Sequence, residues 1–140
     1  MDKIKLGFVP TRRSIFSAPD AIKYRVLTAD RLREIGVEIV DIDDINDEGL
    51  LFDDSHIAPI IEKFRAEGVD GIMLCHANFG TEYVCARLAR ELGLPVLLWG
   101  PRDERPEPDG TRLRDSQCGL FATGKVLRRF QVPFTYMTNC

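Results

Sequence analysis

The chain has 140 residues, enough for one domain that buries a core without disulfides or a structural metal. With 44% hydrophobic and 29% charged residues it is not a disordered chain, and its net charge of -3 argues against nucleic acid or an anionic membrane as a partner. We find no apolar stretch approaching the ~20 residues of a membrane span and no signal-peptide pattern, so we expect a cytoplasmic protein without a membrane partner.

The first half of the chain alternates apolar runs with helical patterns. Ile4 to Val9 is an apolar run that predicts a strand ending before Pro10. Ser17, with an acidic residue three positions later, is typical of a capping box at a helix start. The helix should end at Gly36, before a second strand over Val37 to Ile42. The inward face of this first helix is predicted from apolar residues at three- and four-residue spacing, which are Ile22, Val26, Ala29, Leu32 and Ile35.

The second half continues the same alternation. The predicted elements are a helix from Asp54-Ser55 to Gly68, a strand over Val69 to Leu74, a helix from the Gly80-Thr81-Glu82 corner to Gly93, a strand over Leu94 to Trp99, a loop over 100–114, a helix from Ser116 to Phe130 and a strand beginning at Val132. At the Gly80 corner, two interpretations stay open. The backbone N–H groups bind a ligand there, or Thr81 merely caps the helix.

This alternation predicts the fold class. The strands are continuous apolar runs, which indicates a parallel sheet covered by helices on both faces. We therefore predict an α/β fold, a three-layer doubly wound sheet of five parallel strands, flavodoxin-like or Rossmann-like, with strand order 2-1-3-4-5. Residues 1–140 should form a single domain. Because the last strand lies so close to Cys140, we expect that domain to be one part of a longer polypeptide.

Ligands of such sheets bind outside the carboxyl ends of the strands. Five candidate residues for binding a small molecule lie at those positions, and they are Arg12, Arg13, His76, Asn78 and Trp99. The two arginines carry a rigid fork of donors that suits carboxylates, phosphates or paired hydroxyls. Alternatively, they form a solvated loop pair that balances the acidic stretch after the second strand.

Motifs for other chemistries are absent from the sequence. There is no G-x-G-x-x-G after the first strand and no P-loop. The acidic stretch resembles the first half of an EF-hand loop, but Ser55 occupies the position of the final glutamate. The four cysteines form no C-x-x-C pair, and His56 belongs to a different helix from His76. We therefore expect reduced thiols, no metal ligand and no cofactor in this chain.

Four segments, "PTRRSIFS", "HANFGTE", "VLLWGPRDE" and the long string from Asp109 to Cys140, resemble the N-terminal domain of the L-fucose isomerase-like sugar isomerases, which are related to L-arabinose isomerase. The resemblance implies an aldose–ketose isomerase whose divalent metal, commonly manganese, is held by later domains absent from this chain. It implies a homo-oligomer in which this domain lends residues to a neighbouring sugar site. Arg12 and Arg13 match the part of the family pattern that approaches the sugar, whereas His76, Asn78 and Trp99 are candidates by position alone.

The resemblance also sets expectations for this chain by itself. We expect it to contain no catalytic residue and to be inactive as an isomerase without the later domains. Two other functions stay open from the sequence. One is a stand-alone flavodoxin-like module that binds a small molecule without catalysis. The other is a domain that serves only oligomer assembly.

Overall fold

The structure, a computed structural model, describes residues 3–140. Strands and helices alternate along this part of the chain as β1 (Lys5–Thr11), α1 (Ala18–Glu34), β2 (Glu38–Val40), α2 (Ile57–Glu67), β3 (Gly71–His76), α3 (Glu82–Leu92), β4 (Val96–Trp99), α4 (Ser116–Arg129) and β5 (Thr135–Tyr136). A 3-10 turn over Asp54–His56 leads into α2. All strand pairs are parallel and their order is β2-β1-β3-β4-β5, which confirms the predicted doubly wound fold.

The two faces of the sheet are covered by different helices. Apolar residues of α2, α3 and α4 pack on one face, against Val9, Ile72, Leu74 and Leu98. Among the described residues, only those of α1 form a helix on the other face, which we call the α1 face. The strand residues on this face are Leu6, Phe8, Ile39, Met73, Cys75, Leu97 and Trp99. No helix among residues 3–140 is long and apolar enough to cross a membrane.

Two strands run further than their apolar runs predict. β1 continues through Pro10 to Thr11, although proline has no N–H to donate. Pro10 lies beyond the part of β1 that pairs with β2, and its carbonyl accepts a 2.8 Å hydrogen bond from the N–H of Leu51. β3 continues to His76, which pairs with Thr11. The polar ends of both strands are therefore still part of the sheet.

The start of α1 is as predicted, and its buried face is as predicted only in part. Ser17 caps the helix by accepting a hydrogen bond from the N–H of Asp20. Val26 and Ile35, predicted to face the core, are 43% and 60% exposed. Ala29 is buried as predicted, and Ile22 and Leu32 pack against the core as partly buried residues. The other buried residues of this helix are Ala21 and Thr28, whose small side chains, with that of Ala29, bring α1 close to the strands.

In the second half of the chain, two helices end at the glycines that were predicted to end them. Gly68 and Gly93 end α2 and α3 in the left-handed conformation that glycine adopts most easily. The last strand is shorter than predicted, because the N–H of Val132 bonds back to the end of α4 and Pro133 has no N–H for a sheet. The strand that remains, Thr135–Tyr136, is exposed and forms one edge of the sheet.

Candidate functional site

The loops after β1 and β3 leave the sheet side by side. The two strands are paired up to their last residues, Thr11 and His76. This is also where the strand order changes direction, because β2 lies to one side of β1 and β3 lies to the other. The carboxyl ends of strands at such a switch point are the usual ligand site of doubly wound sheets. Four of the five predicted site residues, Arg12, Arg13, His76 and Asn78, belong to these two strand ends and their loops.

Asn78 joins the two loops. Its side chain is fully buried, and its Oδ1 accepts hydrogen bonds from the N–H groups of Arg13 (2.8 Å) and Gly80 (3.2 Å). Its Nδ2 donates to the carbonyls of Arg13 (3.4 Å) and Ser17 (3.3 Å). Every polar atom of this amide is therefore engaged with main chain, which fixes the position of the Arg13 backbone.

Arg13 extends from this fixed backbone to the surface. Its Nη2 donates a 2.8 Å hydrogen bond to the Glu82 carboxylate, and its guanidinium lies 4.8 Å from the ring centroid of Phe79. The Phe79 ring is stacked on Phe16, with 5.4 Å between centroids. The side chains of Arg13 and Glu82 keep 34% and 25% of their surface exposed. The result is a donor and an acceptor held next to an aromatic surface, all open to solvent in part.

Arg12 is held more tightly than Arg13. Its Nε and Nη2 both bond the carboxylate of Glu48, the latter at 2.8 Å, in the bidentate geometry that suits a guanidinium. The guanidinium also lies 3.8 Å from the ring centroid of Phe52. Only 13% of the Arg12 side chain is exposed. The predicted arginine pair therefore consists of one enclosed and one more open guanidinium, each neutralised by its own carboxylate.

His76 lies in the core beneath the two loops. Its Nδ1 donates a 2.7 Å hydrogen bond to the carbonyl of Phe79, and its Nε2 has no hydrogen-bond partner among residues 3–140. Burial lowers the pKa of His76 to about 4, against the smaller opposing effect of the Phe79 hydrogen bond. The imidazole is therefore neutral near pH 7. Its ring is not exposed to solvent at all.

Close packing leaves no spare room around this corner. A Cβ on Gly80 would lie 2.6 Å from Nδ1 of His76, and one on Gly119 of α4 would lie 1.7 Å from the Phe79 carbonyl oxygen. Thr81 begins α3 without a side-chain cap; its hydroxyl donates instead to the Arg12 carbonyl at 2.8 Å. Thr81 therefore occupies the N-cap position, as one interpretation predicted, but its side chain does not make the capping bond. The threonine is a further link between the two loops.

The structure does not bring Trp99 together with the other four. Trp99 ends β4 on the α1 face, beside Met73 and the side chains of α1. His76 lies on the opposite side of β3, next to Gly80 and to Gly100 of the loop that follows β4. Contact between Trp99 and a sugar stays a prediction, and in this structure the indole belongs to a separate, apolar surface.

Arg114 is a residue of this region that the sequence pattern did not indicate. It is 2% exposed, donates to the carbonyl of Ala77 (3.1 Å) and the carboxylate of Glu104 (3.0 Å), and lies 3.7 Å from the ring centroid of Tyr24. It thereby fastens the long loop after β4 to the end of β3. No periodicity marks such a residue, because its partners come from distant segments.

The buried cysteines and His76 of this edge are poorly suited to nucleophilic attack or to proton transfer near neutral pH. Burial raises the pKa of Cys75 and of Cys85 to about 12, so neither thiol is a ready nucleophile. Among residues 3–140, no three side chains of the His, Cys, Asp or Glu type are grouped so that they could hold a metal ion. The manganese implied by the sequence resemblance therefore does not fit these residues.

A family model described as "Fucose/sulfoquinovose isomerase, N-terminal domain" matches residues 7–140. No curated protein and no solved structure matches the chain. The matched residues include both loops of the candidate site and all five strands of the sheet except the first two residues of β1.

Proposed function

The chain belongs to the fucose/sulfoquinovose isomerase N-terminal domain family, and we propose that it serves an aldose–ketose isomerase by contributing a sugar-facing surface. One observation carries the proposal. Asn78 fixes the Arg13 backbone at the switch point of the sheet, and the Arg13–Glu82 pair beyond it is partly open to solvent. A surface held by buried bonds and still accessible is what a binding site requires.

The Arg13–Glu82 pair suits a polyol. Neighbouring sugar hydroxyls both donate and accept hydrogen bonds, and the pair offers a guanidinium donor beside a carboxylate acceptor. The stacked rings of Phe16 and Phe79 lie alongside, where the C–H face of a sugar could pack. We assign sugar contact to Arg13 and Glu82 first and to Arg12, which is more enclosed, second.

The isomerisation chemistry itself belongs, in this proposal, to later domains of the isomerase. Moving a proton between two sugar carbons needs a base near neutral pH and polarisation of the oxygens, which a divalent metal supplies when bound. His76 is a poor base here because it is buried, hydrogen-bonded to Phe79 and has a pKa of about 4. We infer positioning roles for His76 and Asn78, since both bond the main chain of the loops that carry Arg13 and Phe79.

The proposed sugar site also needs residues from outside this domain. A partly exposed binding surface whose carboxylate is already paired with Arg13 needs a second component that brings the reacting sugar to it. We propose that this component comes from the later domains of the same or a neighbouring subunit in a homo-oligomer. The domain would then bind one side of the sugar while those domains hold the metal and the reacting carbons.

Ketose formation is the direct test. The intact isomerase and the 140-residue chain are incubated separately with a panel of aldoses that includes L-fucose and sulfoquinovose, with Mn²⁺ added and with chelator as a control. We expect metal-dependent conversion of at least one aldose by the intact protein and none by the chain alone. Turnover by the chain alone, or no turnover by the intact protein with any aldose, would reject the proposal.

A further inference from the structure

The α1 face of the sheet is covered only in part. Along β4, Val96 and Leu98 are buried under the three helices of the opposite face, whereas Leu97 and Trp99 on the α1 face are only partly buried. Parallel sheets are normally covered by helices on both faces. We propose that the open part of the α1 face docks one amphipathic helix from the isomerase polypeptide that follows this domain, an inference that rests on the proposed function.

The open part of this face forms a groove of about 300 Å³. Its lining is almost entirely apolar and includes Tyr24, Leu27, Leu32, Met73, Trp99 and Met137. Two of these apolar side chains are unusually accessible, since Leu27 is 52% and Met137 is 44% exposed. An accessible apolar groove of this kind marks a place where another element packs.

The size of the open surface fits one helix. α1 lies over β1 and β2 and reaches only the edge of β4 with its side chains, so within residues 3–140 no helix lies directly over β4 and β5 on this side. Two neighbouring strands span roughly 10 Å, and a helix with its side chains has about the same diameter. A second sheet or a flat domain surface would instead collide with α1, which forms one wall of the groove.

The groove also indicates the chemistry of the helix. Its apolar lining calls for a ridge of aliphatic or aromatic side chains at three- and four-residue spacing. Arg31 lies on the rim of the groove, which favours an acidic side chain on the helix flank.

Charge disfavours a second copy of this chain as the occupant. The exposed ridge of α1 is the part that a second copy would offer to the groove. An antiparallel α1 pair centred on Leu27 would place Lys23 opposite Arg31 and Asp20 opposite Glu34, two pairs of like charge.

The C-terminal end of the chain lies close to the groove, which favours later domains of the isomerase over a second copy as the occupant. Met137 lines the groove, and the N–H of Arg102 bonds the carbonyl of Cys140 at 3.1 Å. Residues 137–140 therefore lie beside the groove. Further domains that continue from Cys140, as the proposed function requires, would begin next to the surface that we propose they cover.

Trp99 provides a direct probe, because it is the only tryptophan of the chain. Overlapping peptides of about 20 residues, long enough for a helix of ~30 Å, are taken from the isomerase polypeptide that follows Cys140 and titrated into the 140-residue chain. We expect one peptide to bind saturably and to shift the Trp99 emission to shorter wavelength. Peptides that contain tryptophan are made with phenylalanine instead.

Two matched variants locate the binding. Leu27→Asp places a charge in the groove and should weaken binding about 30-fold or more. Phe121→Asp makes the same kind of change at a 62% exposed residue of α4, away from the groove, and should leave the affinity unchanged. Circular dichroism shows whether both variants are folded.

Several results would overturn the inference. These are no shift of Trp99 emission with any peptide, equal affinity of the wild type and Leu27→Asp, or an emission that changes with the concentration of the chain alone. The last result would mean that a second copy covers the groove. Ketose formation by the intact isomerase is measured separately, so an active enzyme without peptide binding rejects the inference and leaves the proposed function standing.

Discussion

The N–H of Arg13 donates a 2.8 Å hydrogen bond to Oδ1 of Asn78, and this bond fastens the loop after β1 to the loop after β3. The same oxygen accepts a hydrogen bond from the N–H of Gly80, and Nδ2 of Asn78 donates to the carbonyls of Arg13 and Ser17. A single buried amide therefore sets the geometry of the corner from which the Arg13 side chain extends.

Asn78→Ala should destabilise the domain by about 2–3 kcal/mol, because two buried N–H groups lose their acceptor and cannot reach water. Urea unfolding of the wild type and the variant measures the difference. Ser14→Ala, an exposed change in the loop after β1, is the control and should stay within about 0.5 kcal/mol. A loss as small as that of the control would contradict the role given to Asn78.

Two glycines of α4 should respond to alanine in opposite directions. Alanine in place of a helical glycine normally stabilises by about 1 kcal/mol. At Gly124 the new Cβ would find only ordinary contacts, the nearest at 3.4 Å, so Gly124→Ala should stabilise. At Gly119 it would lie 1.7 Å from the Phe79 carbonyl oxygen, so Gly119→Ala should destabilise by about 2 kcal/mol or more. Thermal unfolding of both variants is the measurement, and a stabilised Gly119→Ala would show that α4 does not pack as described.

Burial of neutral His76 should make stability depend on pH. Its pKa falls from an ordinary 6.5 to about 4 in the folded chain, so between these values the unfolded chain binds a proton that the folded chain does not. Stability is therefore lost as pH falls through this window and is retained above it.

His76→Asn keeps an N–H near the position of Nδ1 but does not titrate. Between about pH 7.5 and about pH 4.5 the wild type should lose about 2–3 kcal/mol more than this variant, measured by urea unfolding. The pKa of His56 is also lowered by burial, but that residue is present in both proteins and cancels in the comparison. Equal losses would mean that His76 is protonated as readily in the folded as in the unfolded chain.

The order of elements could be predicted from the sequence, because each element carries a local signal. Continuous apolar runs indicated buried strands, and Gly68 and Gly93 indicated helix ends. The buried face of α1 could not be predicted in the same way. Helical spacing correctly placed Ala29 inward but also placed Val26 and Ile35 there. The small side chains of Ala21, Thr28 and Ala29 set the approach of α1 to the strands, and Val26 and Ile35 are left exposed.

The candidate site, like the fold, could be predicted from the sequence only in part. The doubly wound fold indicated which strand ends would meet, and Arg13 and Asn78 do meet there. The contacts that hold them could not be predicted, because the partners are distant in sequence. Glu82 is 69 residues from Arg13, and the carbonyl of Ala77 is 37 residues from Arg114. Trp99 was grouped with them by its place at a strand end, and the alternation of side chains along β4 puts it on the other face.

The steady-state kinetics of Arg13→Ala in the intact isomerase test most directly whether this domain contacts the sugar. Arg87→Ala is the matched control, because Arg87 lies on the same helix as Glu82 and is also paired with carboxylates, Asp54 and Glu91. Loss of a charged hydrogen bond to a sugar hydroxyl should lower kcat/KM of Arg13→Ala about 10- to 150-fold, while Arg87→Ala stays within about twofold of the wild type. Wild-type kcat/KM in both folded variants would contradict the account and leave Arg13 as a surface ion pair.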